Sequence, residues 1–238
     1  MNELEITPQS AFTATGAAAA ERVTAFLRKV YGWMFVGLGL TGAVAVGVAS
    51  SPTLTEAIRS NRILFFGLIL AELGMVFYLS ARVDKLAPST ASALFLVYSA
   101  LNGATLSFIF LMFTGTSIAT TFFVTAGMFG ALALYGTTTK RSLAGVGQFV
   151  FMGLIGLILA SIVGLFWHNQ SLQFAISVVG VIVFTGLTAW DAQRLKAMAL
   201  SVPEGRVGSY AVVGALSLYL DFINLFLFLL RFLGNRRD

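Results

Sequence analysis

The sequence predicts an all-α membrane protein, a bundle of seven transmembrane helices. Hydrophobic residues make up 58% of the 238 residues and charged residues only 11%, whereas a soluble domain has about 25% charged residues. A soluble fold of this length has too little interior to bury so much apolar surface. We therefore expect the chain to lie in a lipid bilayer, which is its first predicted partner.

Stretches without charge predict the individual spans. No Asp, Glu, Lys or Arg occurs between Lys85 and Lys140, or between Arg141 and Asp191. Each stretch has room for two helices of about 20 residues, the length that crosses the hydrocarbon. Polar turns at 114–117 and 168–171 divide the two stretches. The predicted helices cover residues 31–50, 61–81, 90–113, 117–136, 147–167, 172–192 and 208–231.

The predicted domains follow from these spans. We expect a disordered cytoplasmic tail at 1–29, the transmembrane domain at 30–233 and a short basic tail at 234–238. Most Lys and Arg residues lie in loops on the side of the N-terminus, and the positive-inside rule places that side in the cytoplasm. The basic C-terminus argues against an odd number of spans, so a six-span form with a re-entrant last segment stays open.

Composition excludes several classes of function. The net charge of +5 arises from loop residues that the positive-inside rule explains, so no nucleic-acid partner is expected. Cysteine is absent and His168 is the only histidine. Thiolate centres and centres built on two histidines are therefore excluded, and no cofactor is expected.

Three acidic residues, Glu72, Asp191 and Asp221, stand inside otherwise apolar spans. A carboxylate at the bilayer centre costs about 2.5–3.5 kcal/mol and usually marks an ion or proton path. Asp191 and Asp221 belong to consecutive helices, which tend to pack as neighbours. Two close carboxyl groups titrate as a coupled unit, and when deprotonated they offer hard oxygen ligands to Ca²⁺. The pair is thus a predicted pH sensor and Ca²⁺ site.

Other polar residues on the spans predict a hydrated interior. Ser217, Asp221 and Asn224 fall on one side of the seventh helix at helical spacing, and the third helix adds Asn102. Polar stripes on membrane helices face the bundle interior or a water-filled cavity. We expect Asn102, Ser217 and Asn224 to line the ion path.

Arginines offer a second, structural interpretation of the same carboxylates. Arg82 follows Glu72 by ten residues and Arg231 follows Asp221 by ten, which is about 15 Å along a helix axis. Antiparallel helices would then match Glu72 with Arg231 in depth, and Arg82 with Asp191. Structural ion pairs and a functional aspartate pair both remain open from the residues alone.

Four segments resemble a known family. LNGATLS at 101–107, TTTK at 137–140, WDAQ at 190–193 and LYLDFINLF at 218–226 are similar to motifs of the Bax inhibitor-1 (transmembrane Bax inhibitor motif) family, and more closely to its bacterial inner-membrane branch. The resemblance implies seven helices around a central last helix. It also implies a location in the bacterial inner membrane and a passive, pH-sensitive Ca²⁺ leak, with Ca²⁺ and H⁺ as partners.

The resemblance also implies roles for individual residues. The family's paired aspartates match Asp191 and Asp221 as sensor and latch, and its charged partners match Glu72, Arg82 and Arg231 as an ion-pair latch. The chain departs from the family in two places. Trp190 replaces the usual tyrosine, and the loop through 203–205 is longer than in some members.

Two other functions compete with a Ca²⁺ leak. One is modulation of a membrane-anchored quality-control protease without transport, in which the tail at 1–20 would engage the protease. The other is an intramembrane aspartyl protease, but LYL at 218–220 stands where those enzymes have Gly-x-Gly. We therefore expect no enzymatic activity.

Overall fold

The computed structural model describes residues 8–167 and 169–237, so His168 and its predicted loop position lie outside the described part. Within that part all named elements are helices. They are α1 (Pro8–Ala49), α2 (Pro52–Ser60), α3 (Arg62–Ala81), α4 (Pro88–Leu106), α5 (Ile109–Met112), α6 (Gly115–Thr138), α7 (Ala144–Phe166), α8 (Gln170–Ser201), a 3₁₀ turn (Glu204–Arg206) and α9 (Val207–Leu233).

The predicted fold class is confirmed. Seven helical segments of the described chain are long and apolar enough to cross a membrane, with α4 and α5 together forming the third. The last of them, α9, is one continuous helix of 27 residues, or about 40 Å at 1.5 Å per residue. This length exceeds the hydrocarbon thickness of about 30 Å. The re-entrant alternative is therefore not supported.

The last helix lies at the centre of the bundle, as the family resemblance implied. It packs against α1, α4, α6 and α8. In the most apolar 18-residue stretch of α9, 67% of the residues are buried, whereas in the corresponding stretch of α3 only 6% are buried. Leu218, Tyr219 and Leu225 on α9 are fully buried. Any change in the position of α9 therefore requires its neighbours to repack.

Side-chain caps fix where the membrane helices begin. Ser51, Asn61, Thr114 and Asn169 each accept a hydrogen bond from the first turn of the helix that follows. Such caps satisfy backbone N–H groups that have no partner within the helix. The turns at Thr114 and Asn169 divide the charge-free stretches, which explains why the predicted starts of the two helices that follow agree with the structure to within two residues.

The N-terminal segment differs from the prediction of a disordered tail at 1–29. Helix α1 begins at Pro8, so most of that tail is helical, and residues 1–7 lie outside the described part. The run of Ala17 to Ala20 has high helix propensity. Farther along, Phe26 and Val30 are buried in the core, which holds this part of the helix against the bundle.

Helix α8 is longer than predicted and ends at Ser201 rather than near residue 192. Its added turns are fixed by the loop between α6 and α7. Gln193 accepts a hydrogen bond from the Leu143 amide at 2.8 Å and donates one to the Arg141 carbonyl at 2.9 Å. Lys196 donates to the Thr137 carbonyl at 2.6 Å. The loop thus stabilises the extension of α8 beyond its apolar part.

Two glycines allow close approach to α8 next to Asp191. A Cβ at Gly136 of α6 would overlap the backbone carbonyl of Ala189, and a Cβ at Gly147 of α7 would overlap the ring of Trp190. Small residues let membrane helices pack at short distance. Helix α8 is therefore held tightly on the side that faces α6 and α7.

Candidate functional site

Asp191 and Asp221 lie on facing helices in the interior of the bundle. Asp191 belongs to α8 and is 8% exposed, and Asp221 belongs to α9 and is 5% exposed. Helices α8 and α9 pack along each other, and the carboxyl group of Asp221 lies within electrostatic range of Asp191. The structure thus places the two predicted sensor residues on adjacent helices, near enough to interact electrostatically. We call them the aspartate pair.

The aspartate pair has fewer hydrogen-bond donors than it has oxygen atoms. Asp191 Oδ1 and Asp221 Oδ2 are buried and accept no hydrogen bond from the described residues. Buried polar atoms in proteins nearly always have a partner, and an ionised carboxylate without one is costly. A proton, a water molecule or a cation at the pair would satisfy these oxygen atoms.

Arg194 is the charged residue nearest to the pair, and sequence reasoning did not assign it to the site. Its Nη1 atom lies 3.8 Å from Asp191 Oδ1, and its side chain is 55% exposed. That distance is too long for a hydrogen bond. The guanidinium also lies 5.6 Å from the centre of the Trp190 ring. The i, i+3 spacing after Asp191 was the signal in the sequence.

A small cavity lies beside Asp191, between α8 and α9. Its volume is about 30 Å³, enough for about one water molecule. Ser217 of α9, predicted to line the path, borders this cavity with Asp191 and Arg194. Asn224, also predicted to line the path, donates to the Leu220 carbonyl of its own helix at 2.8 Å. The cavity is too small to form a continuous path across the bundle.

A larger cavity of about 530 Å³ lies elsewhere, between α1, α6 and α9. Its walls are almost entirely apolar, with Phe35, Phe129 and Phe222 among them, and neither aspartate lines it. An apolar space of this kind offers no ligands to an ion. The polar groups of the candidate site therefore border the small cavity and not the large one.

Glu72 forms hydrogen bonds with α4 and does not pair with an arginine. Asn102 Nδ2 donates to Glu72 Oε2 at 3.2 Å, and Thr105 Oγ1 donates to Glu72 Oε1 at 2.5 Å. Asn102 was predicted to line the ion path. Here it lies in the interior beside α3, and its Oδ1 atom accepts a hydrogen bond from the Tyr219 hydroxyl at 2.9 Å.

The contacts continue from Tyr219 to the first helix. The Tyr219 hydroxyl lies 2.6 Å from Thr41 Oγ1, and Thr41 donates to the Ser99 carbonyl at 2.8 Å. We call Glu72, Asn102, Thr105, Tyr219 and Thr41 the Glu72 network. It joins α1, α3, α4 and α9. Sequence reasoning missed Thr41 and Tyr219, since a single hydroxyl in an apolar span has no distinctive spacing.

The predicted ion-pair latch of Glu72, Arg82 and Arg231 is not formed. Among the described residues the ion pairs within 4 Å are Arg59–Glu56 and Arg194–Asp191. Arg82 is exposed at the end of α3. Arg231 is exposed near the end of α9, 5.8 Å from the centre of the Phe228 ring. Matching depths predicted these pairs, but Glu72 bonds to residues of α4 and both arginines are exposed.

The fold and the site together define a class: a multi-pass membrane protein with a buried carboxylate pair between its last two helices. Residues 23–238 match the family model described as "Inhibitor of apoptosis-promoting Bax1". The chain belongs to the Bax inhibitor-1 family.

Relatives in several bacteria match the chain over nearly its whole length. An inner membrane protein of Escherichia coli strain K12, YbhL, is 51% identical over 215 residues, which cover 89% of this chain and 92% of the relative. An uncharacterized protein of Rickettsia prowazekii is 45% identical, covering 92% of each chain. An uncharacterized membrane protein of Streptococcus pyogenes serotype M1 is 38% identical, covering 88% and 92%.

Proposed function

We propose that this protein is a pH-sensitive Ca²⁺ leak channel of the bacterial inner membrane, with its N-terminus in the cytoplasm. The observation that supports the proposal most is the aspartate pair, two buried carboxyl groups with oxygen atoms that lack donors. Ionisable residues inside membrane spans usually mark an ion or proton path. The similarity to an inner membrane protein of Escherichia coli supports the location.

The pair responds to pH through its charge. While it keeps a proton, Asp191 and Asp221 can share it, and α8 and α9 stay packed. When the last proton leaves, two negative charges face each other in a medium of low dielectric, where repulsion is strong. That state attracts a cation and favours separation of the two helices. We therefore propose that Ca²⁺ flux is low at acidic pH and rises as the pair deprotonates.

The ligands at the pair suit a transported ion. Ca²⁺ takes six to eight oxygen ligands, and the described residues bring no third His, Cys, Asp or Glu to the two aspartates. Ser217 and water would complete the coordination. Ca²⁺ bound mainly by two carboxylates and water can leave readily, as conduction requires.

Flux measurements with asparagine variants test this function. Dye-loaded proteoliposomes should show Ca²⁺ entry that increases from acidic to alkaline pH in the wild type. Asp191→Asn and Asp221→Asn should each reduce the alkaline flux about fivefold or more, the effect of a coupling free energy of about 1 kcal/mol or above, and flatten its pH dependence.

Asp84→Asn is the matched control. Asp84 lies in the loop between α3 and α4 and accepts a hydrogen bond from the Tyr210 hydroxyl, so its loss removes an acidic residue but leaves the pair intact. Its flux should equal that of the wild type. Equal flux and equal pH dependence in the wild type and both pair variants would contradict the proposed channel.

A second candidate function is modulation of a membrane-anchored quality-control protease. The observation that favours it is the length of α1, 42 residues, about twice what a span needs. The N-terminal part of α1 could then contact a partner outside the bilayer. Deletion of residues 1–15 should, in that case, alter proteolysis of other membrane proteins while Ca²⁺ flux in vesicles stays at the wild-type level. Unchanged proteolysis would exclude this candidate.

A further inference from the structure

We propose that Glu72 is a second proton-binding site, that it holds its proton in this structure, and that the Glu72 network transmits the state of that proton to α9. The inference goes beyond the proposed function, in which the aspartate pair alone senses pH. When Glu72 is ionised, the hydrogen bonds of the network need one hydrogen atom more than its side chains supply.

The surroundings of Glu72 offer it no compensating positive charge. Helix α4, against which it packs, has no charged residue. The side chains that bond to it, those of Asn102 and Thr105, are uncharged. The titratable groups of α4 and α9 within electrostatic range of it include two tyrosine hydroxyls, those of Tyr98 and Tyr219. On α2, the third helix in contact with α3, Glu56 and Arg59 pair with each other.

The remaining charges of the neighbouring helices also lie away from Glu72. Helix α9 contributes Asp221, which belongs to the aspartate pair, and Arg231 near its end. The first residue of α3, Arg62, is ten residues before Glu72, about 15 Å along the axis. An ionised Glu72 would therefore depend entirely on hydrogen bonds for its stabilisation.

An ionised Glu72 leaves the network one hydrogen atom short. Asn102 then donates its amide hydrogen to Glu72 and presents its oxygen to Tyr219. Three contacts remain, namely Asn102–Tyr219, Tyr219–Thr41 and Thr41–Ser99, but the two hydroxyl groups supply one hydrogen each. One contact must place two oxygen atoms together without a hydrogen between them.

A protonated Glu72 completes the network. The amide of Asn102 can be rotated by half a turn, because its oxygen and nitrogen are assigned from their hydrogen bonds. Glu72 then donates to the Asn102 oxygen, the Asn102 amide donates to Tyr219, Tyr219 donates to Thr41, and Thr41 donates to the Ser99 carbonyl. Thr105 still donates to the other oxygen of Glu72. Every contact has its hydrogen.

The proton on Glu72 therefore sets the direction of every hydrogen bond as far as Tyr219. Release of the proton reverses the Asn102 amide and forces one hydrogen bond at Tyr219 or Thr41 to break. Tyr219 lies two residues before Asp221 on α9. Proton release at α3 thus changes the contacts of the helix that bears one member of the aspartate pair.

Infrared spectroscopy of the full-length protein in vesicles tests the proposal. Glutamate labelled with ¹³C in its side-chain carboxyl group separates the band of a protonated glutamic acid from those of Asp191 and Asp221. We expect such a band in the wild type at neutral pH, shifted by exchange into D₂O, and its loss in Glu72→Gln. A spectrum without the band in folded wild-type protein would overturn the proposal.

Two tyrosine variants test the hydrogen count itself. Tyr219→Phe frees the Asn102 amide to donate to Glu72, so the band should disappear at a pH lower by about one unit, the equivalent of one hydrogen bond. Tyr98→Phe is the matched control, because the Tyr98 ring contacts that of Tyr219 but takes no part in the network, and it should leave the titration unchanged. Equal titrations in Tyr219→Phe and the wild type would overturn the coupling to α9, even if the aspartate pair proves to sense pH.

Discussion

The aspartate pair and the Glu72 network place carboxyl groups of the membrane spans in opposite environments within one bundle. Glu72 has hydrogen-bond partners in Asn102 and Thr105 and begins a chain of contacts that reaches α1. The aspartates have two oxygen atoms without donors and one distant arginine. Completely bonded polar networks make a structure rigid, whereas a buried polar atom without a partner is costly. The first region therefore holds α3, α4 and α9 together, and under the proposed function the second is where α8 and α9 separate.

The largest effect on stability is expected from breaking the Glu72 network, in which the polar groups have hydrogen-bond partners. Asn102→Ala removes the residue at the centre of the Glu72 network and leaves Glu72 and Tyr219 each with one hydrogen-bond partner fewer. At about 1–3 kcal/mol for each unsatisfied group, we expect the free energy of unfolding in mixed detergent micelles to fall by about 2–4 kcal/mol. Asn224→Ala is the control, since Asn224 bonds only to its own helix in the described structure. A similar loss of stability in Asn102→Ala and Asn224→Ala would contradict a special stabilising role of the Glu72 network.

A smaller effect on stability, of opposite sign, is expected at the aspartate pair. Asp221→Asn replaces a carboxyl group that lacks donors by an amide that can donate to Asp191, and it removes one of two like charges. We expect the free energy of unfolding at neutral pH to rise by about 1 kcal/mol, as for one added hydrogen bond. At acidic pH the gain should vanish, because the carboxyl group is then itself a donor. A loss of stability at both pH values would show that the pair is already satisfied.

The smallest effect is expected at the edge of the aspartate pair. Arg194→Gln removes a charge that is 55% exposed and 3.8 Å from Asp191, so the free energy of unfolding should change by less than about 1 kcal/mol. The loss of a positive charge favours the protonated pair, and the rise of Ca²⁺ flux should move to a pH higher by less than about one unit. Arg59→Gln removes an exposed arginine far from the pair. It should change neither the free energy of unfolding nor the pH at which Ca²⁺ flux rises. A shift toward lower pH would contradict the assignment of Arg194 to the pair.

The sequence predicted the helices well because the bilayer imposes a simple rule. Apolar length identified all seven spans, and polar turns such as that at Asn169 identified their ends. The rule does not apply outside the hydrocarbon. It therefore missed the short helix α2, the helical start of α1 and the extension of α8, each of which depends on propensity or on contacts such as that of Lys196 with Thr137.

The sequence predicted part of the candidate site for a related reason. Consecutive helices are neighbours, so the approach of Asp191 and Asp221 followed from chain order. The pairing of Glu72 with Arg231 rested on depth alone, and depth does not determine the direction in which a side chain leaves its helix. The contact between Thr41 and Tyr219 joins residues 178 positions apart in sequence, which no local pattern can indicate.

The close approach at Gly136 has a mechanical consequence. If Gly136 carried a Cβ, the nearest atom would belong to the backbone of Ala189. If Gly214 of α9 carried one, the nearest atom would belong to the side chain of Leu195. A side chain can rotate away, but a backbone carbonyl cannot. Helix α8 is therefore held rigidly against α6, whereas the contact between α8 and α9 at Gly214 is made by a side chain that can adjust. Under the proposed function, any widening between the two aspartates would begin at the contact between α8 and α9 and not at the contact between α8 and α6.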